Sequence, residues 1–298
     1  MTYHANSPYS GKNSLKLEKK NDELAQLYAD LQESFETLFR VNTELQTANE
    51  KLEKQNKLQH EFINVAAHEL RTPTQSVVGY CEMLELFPER LKQYLPRLRR
   101  NADRLWSLTA DLLDATKIDA GILKLNITDF NLISLVRDVV LETQRKFYLI
   151  NKNTDIDGFG GRLVPKIEMR LASNRFIVHA DKDRTAQVLF NLLDNAYKFT
   201  PSGTITIIIK EDTDDFIKIS VKDTGKGIDA NIKPKLFGRF VTDSENGTGL
   251  GLFISKNIVQ AQGGIIFAEN NKDGGGATFS FTMPIKNKLV KNNSASAK

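Results

Sequence analysis

The sequence predicts a multidomain protein of α plus α/β class. It comprises an N-terminal parallel coiled coil, an antiparallel helical hairpin that pairs with a second copy as a dimeric four-helix bundle, and a C-terminal α/β sandwich. Three observations carry this. Leucine recurs every seventh residue from Leu17 to Leu52, which is the d position of a sustained heptad repeat. A second apolar series, from Leu91 to Thr116, alternates steps of four and three, as a helix with one packed face requires. Beyond residue 123 the pattern turns strand-like, as in "TITIIIK" (204–210) and "FIKISVK" (216–222), where apolar side chains fall on one face of a sheet.

Residues 1–14 lack periodicity and are expected to form a disordered tail. In the coil, 15–57, the a positions are Asn21, Tyr28, Phe35, Asn42, Asn49 and Asn56. A buried asparagine lowers stability and selects a parallel dimer in one register, because it pairs with its own counterpart. Leu27, Phe39 and Val41 flank the seam and widen its apolar stripe. Carried onward, the register puts Ile63 and Leu70 at a, Ala66 at d and His68 at f, facing away from the seam. Pro73 removes a helical donor, so a bend is expected just after the histidine.

The hairpin domain spans 58–122. Its first helix resumes through "QSVVGYCEMLEL" and ends near "FPER". The second carries the four-and-three series, with a kink expected at Pro96 and a C-cap at Gly121. Cys81 and Trp106 are expected to pack inside the bundle. In the α/β domain, 123–286, helices are expected at about 132–147, 183–199 and 249–262. "DGGGATFSF" reads as a glycine turn feeding the last strand, and 287–298 as a second disordered tail. The glycine-rich stretch 151–165 reads as an insertion with no functional account.

Composition excludes several roles. A net charge of +4, without a clustered basic patch, argues against a nucleic-acid partner. A single cysteine, Cys81, rules out an intrachain disulfide and suits a reducing compartment. No stretch approaches the roughly 18 apolar residues of a membrane span, and the polar N-terminus is no signal peptide. A cytoplasmic location is therefore expected.

Three segments of the α/β domain carry candidate chemistry. In "NLLDNAYKFT" (191–200), Asn191, Asn195 and Lys198 share one helical face. Amide oxygens beside an ammonium suit a hydrated Mg2+ bound to phosphates. In "DTGKGI" (223–228), two glycines let the backbone approach a flat ligand, and Asp223 can accept from an exocyclic amine such as adenine N6. "GTGLGL" (247–252) opens an apolar helix, whose N-terminal N–H groups attract phosphate. Each alone reads equally as solvated helix or plain turn. Their order, with "LFGRF" (236–240) between the last two, makes the set specific.

Together with "HELRTP" (68–73), these segments closely resemble the motif set of sensor histidine kinases of two-component systems, over about residues 58–286. The resemblance implies a homodimeric bundle bearing a phosphorylated histidine, and a Bergerat-type ATP-binding sandwich shared with gyrase and MutL. It implies ATP and Mg2+ as cofactors and the receiver domain of a response regulator as partner. Mapped onto this chain, His68 is the implied phosphoacceptor and Glu69 the base. Asn195 is the implied magnesium ligand, with Asn191 and Lys198 at the phosphates. Asp223 with Gly225 and Gly227 matches the adenine pocket. Gly247, Thr248, Gly249, Leu250 and Gly251 match the second glycine box, and Arg239 is placed near the phosphates. Thr72, one turn beyond His68, resembles the pattern of kinases that also dephosphorylate their partner.

Two departures stand out. Gly238 sits in "LFGRF" where the family more often has an acidic residue, and the lid "VTDSEN" is short. Phe237 and Phe240 read as its packing anchors. Two other readings remain open: an ATP-driven clamp like MutL, and a scaffold that binds a partner without catalysis. No sensor domain is recognisable, so an upstream sensor domain or a partner is expected to supply the signal.

Overall fold

The apolar periodicities set the element order in the computed structural model, which describes residues 9–154, 165–173, 176–213, 215–242, 248–272 and 274–285. Helix α1 runs Tyr9–Leu86 and helix α2 Leu91–Asp119, joined through a short 3-10 turn at Pro88–Arg90. Then follow β1 (Ile127–Asn131), α3 (Leu132–Thr154), β2 (Lys166–Leu171), β3 (Ile177–Asp181), α4 (Lys182–Phe199), β4 (Thr204–Thr213), β5 (Phe216–Asp223), α5 (Gly251–Ala261), β6 (Ile266–Asn270) and β7 (Ala277–Pro284). The chain divides into two units, Met1–Val65 and Ala66–Lys298.

In the first unit, the leucines at d lie on the surface of the single chain, from Leu24 to Leu52. Helix α1 begins at Tyr9, within the stretch expected to be a tail. It also continues through Pro73 without interruption. Around the proline, Thr72, Thr74 and Ser76 each donate a hydroxyl to the carbonyl four residues back, at 3.4, 2.7 and 3.1 Å. These hydroxyls bond the carbonyls of His68, Leu70 and Thr72, not that of Glu69, whose ladder donor Pro73 removes.

In the second unit, α1 and α2 pack antiparallel. Tyr80 faces Tyr94, ring centroids 5.8 Å apart, while Glu69 pairs with Arg104 farther along. Helix α2 buries Tyr94, Leu108 and Ala115 and stays continuous through Pro96. Gly121, at φ +66°, closes the helix with its N–H on the Ile118 carbonyl, as expected of a left-handed C-cap. Cys81 is exposed and Trp106 is 80% exposed in the single chain; the bundle in which both are expected to pack needs a second hairpin. Both lie on a hairpin whose neighbouring apolar residues, Leu91, Leu95 and Leu113, are exposed too.

The five-stranded sheet has order β2-β4-β5-β7-β6, parallel between β2 and β4 and antiparallel elsewhere; β1 and β3 form a separate antiparallel pair. Alternation decides which face is buried. Ile205, Ile207 and Ile209 on β4 stand in register with Asp223, Val221 and Ile219 on β5, and all six are buried. Helices α4 and α5 cover this face. Helix α4 contributes Val188, Leu189, Leu192, Leu193 and Ala196, the stripe of an amphipathic helix. Its N-cap is Asp181, whose carboxylate accepts from the Arg184 and Asn126 N–H groups. Helix α3 runs past the expected end at 147 to Thr154. Of the insertion expected at 151–165, residues 151–154 belong to α3, while 155–164, residues 1–8 of the first tail and the tail at 287–298 lie outside the described residues. Among the described residues, no helix is long and apolar enough to cross a membrane.

Candidate functional site

The period of two that buries the β5 isoleucines also places Asp223 at the end of the same row, under the helix layer. There the apolar face opens into a cavity of about 710 Å3. Asp223 is only 3% exposed, and its Oδ1 accepts from the N–H groups of Gly225 (2.8 Å) and Ala277 (3.2 Å). The second carboxylate oxygen retains capacity to accept from a ligand. Burial pushes the carboxyl above its ordinary range, opposed by the two backbone donors. Gly225 is demanded by close approach, because a Cβ there would collide with the Phe199 carbonyl. Gly227, at φ +78°, lines the cavity; Gly225 shapes the turn from outside it.

Helix α4 supplies Asn191, Asn195 and Lys198 to the cavity wall, from the edge of its buried stripe. Asn191 donates Nδ2 to the Gly251 carbonyl (3.2 Å) and to Ser255 Oγ (3.3 Å). It therefore fastens the start of α5 as well as lining the site. Lys198 has its pKa lowered, chiefly by burial and then by the nearby Arg104 cation, with Asp194 opposing.

Thr248, Gly249 and Gly251 bring the start of α5 to the same cavity. Thr248 Oγ1 accepts from the Leu250 N–H (3.2 Å), while Leu250 itself is buried away from the cavity. Gly249, at φ +65°, lies so close to the Phe240 backbone that a side chain would clash. Gly247 and most of the lid lie outside the described residues.

Arg239 is the site candidate that the structure places elsewhere. Its guanidinium pairs with Asp119 of α2 and lies 4.7 Å over the Phe253 ring, and it does not line the cavity. A cation beside an ordered carboxylate and an aromatic face is already satisfied, which the motif alone could not reveal.

The sequence reading missed one wall of the cavity altogether. Ser107 and Asp111 of α2 line it opposite the α/β elements. Asp111 accepts from Thr248 Oγ1 at 3.5 Å, and its pKa is raised to about 6 by burial and by the Asp114 charge. One turn on, Asp114 accepts from Arg184 Nη1 (2.5 Å) and Gln187 Nε2 (2.9 Å). The spacing 111, 114 and 119 along α2 was the available signal, but it reads equally as a solvated acidic face.

His68 is exposed, its side chain 73% accessible, while Ala66 is buried. In the single chain the expected seam leucines are exposed as well, so this exposure shows an accessible ring and not which side of a coil it faces. Glu69 Oε1 lies 3.8 Å from His68 Nδ1, and its other oxygen meets Arg104 Nη2 at 3.3 Å. Thr72 lies one turn on, its hydroxyl engaged by the His68 carbonyl.

The residues at the cavity fit a nucleotide with magnesium. A flat, partly apolar pocket carries one buried acceptor, and the amide of Asn195, the Lys198 ammonium and the α5 N-terminus lie around it. Among the described residues no cluster of three or more His, Cys, Asp or Glu side chains could hold a metal alone.

Comparison with known proteins agrees with this geometry. Residues 58–121 match the His Kinase A (phospho-acceptor) domain, and residues 180–287 match the histidine kinase-, DNA gyrase B-, and HSP90-like ATPase family. The Non-motile and phage-resistance protein of Caulobacter vibrioides is 31% identical over 284 residues, covering 90% of this chain and 32% of that protein. The Circadian input-output histidine kinase CikA of Synechococcus elongatus is 32% identical, covering 87% and 35%. The chain thus spans about a third of the length of these curated relatives. Among solved structures, histidine kinase ThkA in complex with response regulator protein TrrA aligns at TM-score 0.57 with 27% identity, covering 78% of this chain and 64% of that one. With a phospho-acceptor domain and a kinase-type ATPase domain in succession, this chain belongs to the sensor histidine kinases.

Proposed function

We propose that this chain is the catalytic part of a homodimeric sensor histidine kinase: ATP bound in the cavity phosphorylates His68, and the phosphoryl group then passes to an aspartate of a response regulator's receiver domain. The observation that carries this is the pairing, within one chain, of an exposed histidine beside a carboxylate with a cavity built around Asp223.

The chemistry follows from the residues. His68 Nε2 attacks the γ-phosphorus; the N–P bond forms while the bond to the β-bridging oxygen breaks, and ADP leaves with that electron pair. Glu69, facing Nδ1, stabilises the positive charge that develops on the ring. Asp223 orients the adenine, and Lys198 with the α5 N-terminal amides holds the phosphates. Asn195 would hold a magnesium ion together with the phosphates, and that ion would supply neutralisation of charge on the transferring group. Outward projection lets the kinase site and the receiver domain reach His68 in turn. Thr72, exposed one turn away, orients a hydrolytic water when the kinase dephosphorylates its partner.

The heptad seam of α1 pairs in this reading with a second copy as a parallel coiled coil, and carries signals from an upstream sensor domain or partner. The ATP supply and the free Cys81 thiol suit the cytoplasm.

Incubation with γ-labelled ATP and magnesium is expected to give an acid-labile, alkali-stable phosphoprotein that His68→Gln abolishes. ATP hydrolysis without phosphoprotein would replace this reading with a clamp.

A further inference from the structure

Glu69 stands between two partners. One carboxylate oxygen faces His68 Nδ1 at 3.8 Å, and the other meets Arg104 Nη2 of α2 at 3.3 Å. Unlike the exposed Arg99–Asp103 pair on the same helix, this pair is about three-quarters buried at both ends. A glutamate side chain has three rotatable bonds, so a carboxylate held at one oxygen presents the other in a much narrower range of directions.

Arg104 also stands at a junction. Ser107, one turn further along α2, lines the nucleotide cavity. Arg104 is near enough to Lys198, another lining residue, to disfavour that ammonium. The guanidinium therefore contacts the carboxylate beside His68 and lies one turn from a residue of the cavity wall.

We propose that Arg104 is a positioning residue for histidine phosphorylation: it anchors one oxygen of Glu69 so that the other is held toward the His68 ring. This rests on the assignment of His68 as phosphoacceptor. As a mere tie between helices, a partly exposed ion pair contributes little; as an orienting contact it acts on the reaction through Glu69.

The test is a double-mutant cycle on the full chain, reading initial rates of His68 phosphorylation across ATP concentrations. Arg104→Gln is expected to lower kcat about tenfold, the scale of losing a supporting hydrogen bond behind a reacting group, with KM for ATP unchanged. Arg104→Lys is expected to recover part of that loss, because a cation remains. With Glu69→Gln already present, Arg104→Gln is expected to cost nothing more. Independent, multiplying losses, or an unchanged kcat in Arg104→Gln, would overturn the proposal. If Arg104→Gln shows no cooperative melting transition, the same cycle is run with Arg104→Lys. An absence of phosphohistidine in the wild type would instead defeat the phosphoacceptor assignment itself.

Discussion

Two interfaces in the second unit are built on opposite principles. Between the sheet and helices α4 and α5, the contact is apolar: Ile205, Ile207, Ile219 and Val221 against Leu189, Leu192 and Ile258, all essentially without exposure. Between α2 and the α/β elements, carboxylates carry much of the contact: Asp111 to Thr248, Asp114 to Arg184 and Gln187, Asp119 to Arg239. Apolar burial has no comparable partner in water, so it holds permanently. Charged contacts exchange with water at little net change, because each ion recovers hydration when it separates. The first interface makes the sheet-and-helix fold; the second would suit a domain that, under the proposed function, leaves α2 to reach His68.

Three experiments would break or sharpen that contrast. The largest effect belongs to the apolar interface. Ile207→Ala, at a fully buried position in the centre of β4, is expected to cost about 3–4 kcal/mol of unfolding free energy, through lost transfer energy and a cavity. Chemical denaturation of the full chain measures it, and a cost below about 1 kcal/mol would contradict the packing.

Asp114→Ala comes next. It leaves Arg184 beside a half-polar seam without its main partner, at about 2 kcal/mol. The loss cannot exceed the free energy of docking, because the domain can swing away and let Arg184 hydrate. Hydrogen exchange is therefore expected to quicken along α2 and the start of α4, with the sheet amides as protected as before. Equal loss of protection in β4 and β5 would mean the two interfaces are one.

The smallest effect is the pH dependence of the seam. The Asp111 carboxyl is raised to about 6 when docked, by burial first and Asp114 second, with Thr248 from the α5 side opposing. The docked state thus binds the proton more tightly than the open one. The contribution of Asp111 to docking is largest below the ordinary carboxylate range, weakens as pH rises from about 4 to about 6, and is flat above. Asp114, which burial raises but Arg184 and Gln187 lower on balance, contributes in the opposite sense at the acid end. The loosening is expected to reach about 1.5 kcal/mol, roughly half the full conversion of the shift, because the cavity admits water. Exchange rates at the seam followed from pH 4 to 8 report it, and Asp111→Asn is expected to flatten the profile.

Much of the site was legible in advance, and the reasons differ residue by residue. Asp223, Asn195 and Lys198 are singled out by the order of their motifs and the resemblance it carries, since each segment alone reads equally as turn or solvated helix; the structure brings all three to one cavity. His68 was assigned an outward face by counting heptads from leucines more than a dozen residues upstream. The pairing of Arg239 with Asp119, 120 residues away, could not be read in advance, because no local pattern announces such a pair. Cys81 and Trp106 are exposed in the single chain; hydrophobic character predicts burial, but not against which surface.

By itself, then, the sequence determined what depends on neighbours along the chain. It gave α1 and α2 their apolar faces, β4 and β5 their alternation, α4 its amphipathic stripe and the glycine turns their backbone freedom. Only the tertiary structure decided what depends on residues far apart. It put Ser107 and Asp111 in the wall of the nucleotide cavity, turned Asn191 into the fastening of α5, and set Arg104 behind Glu69. Hydrophobic pattern is written with a period and can be read locally, whereas a polar contact depends on the direction and distance of one particular partner.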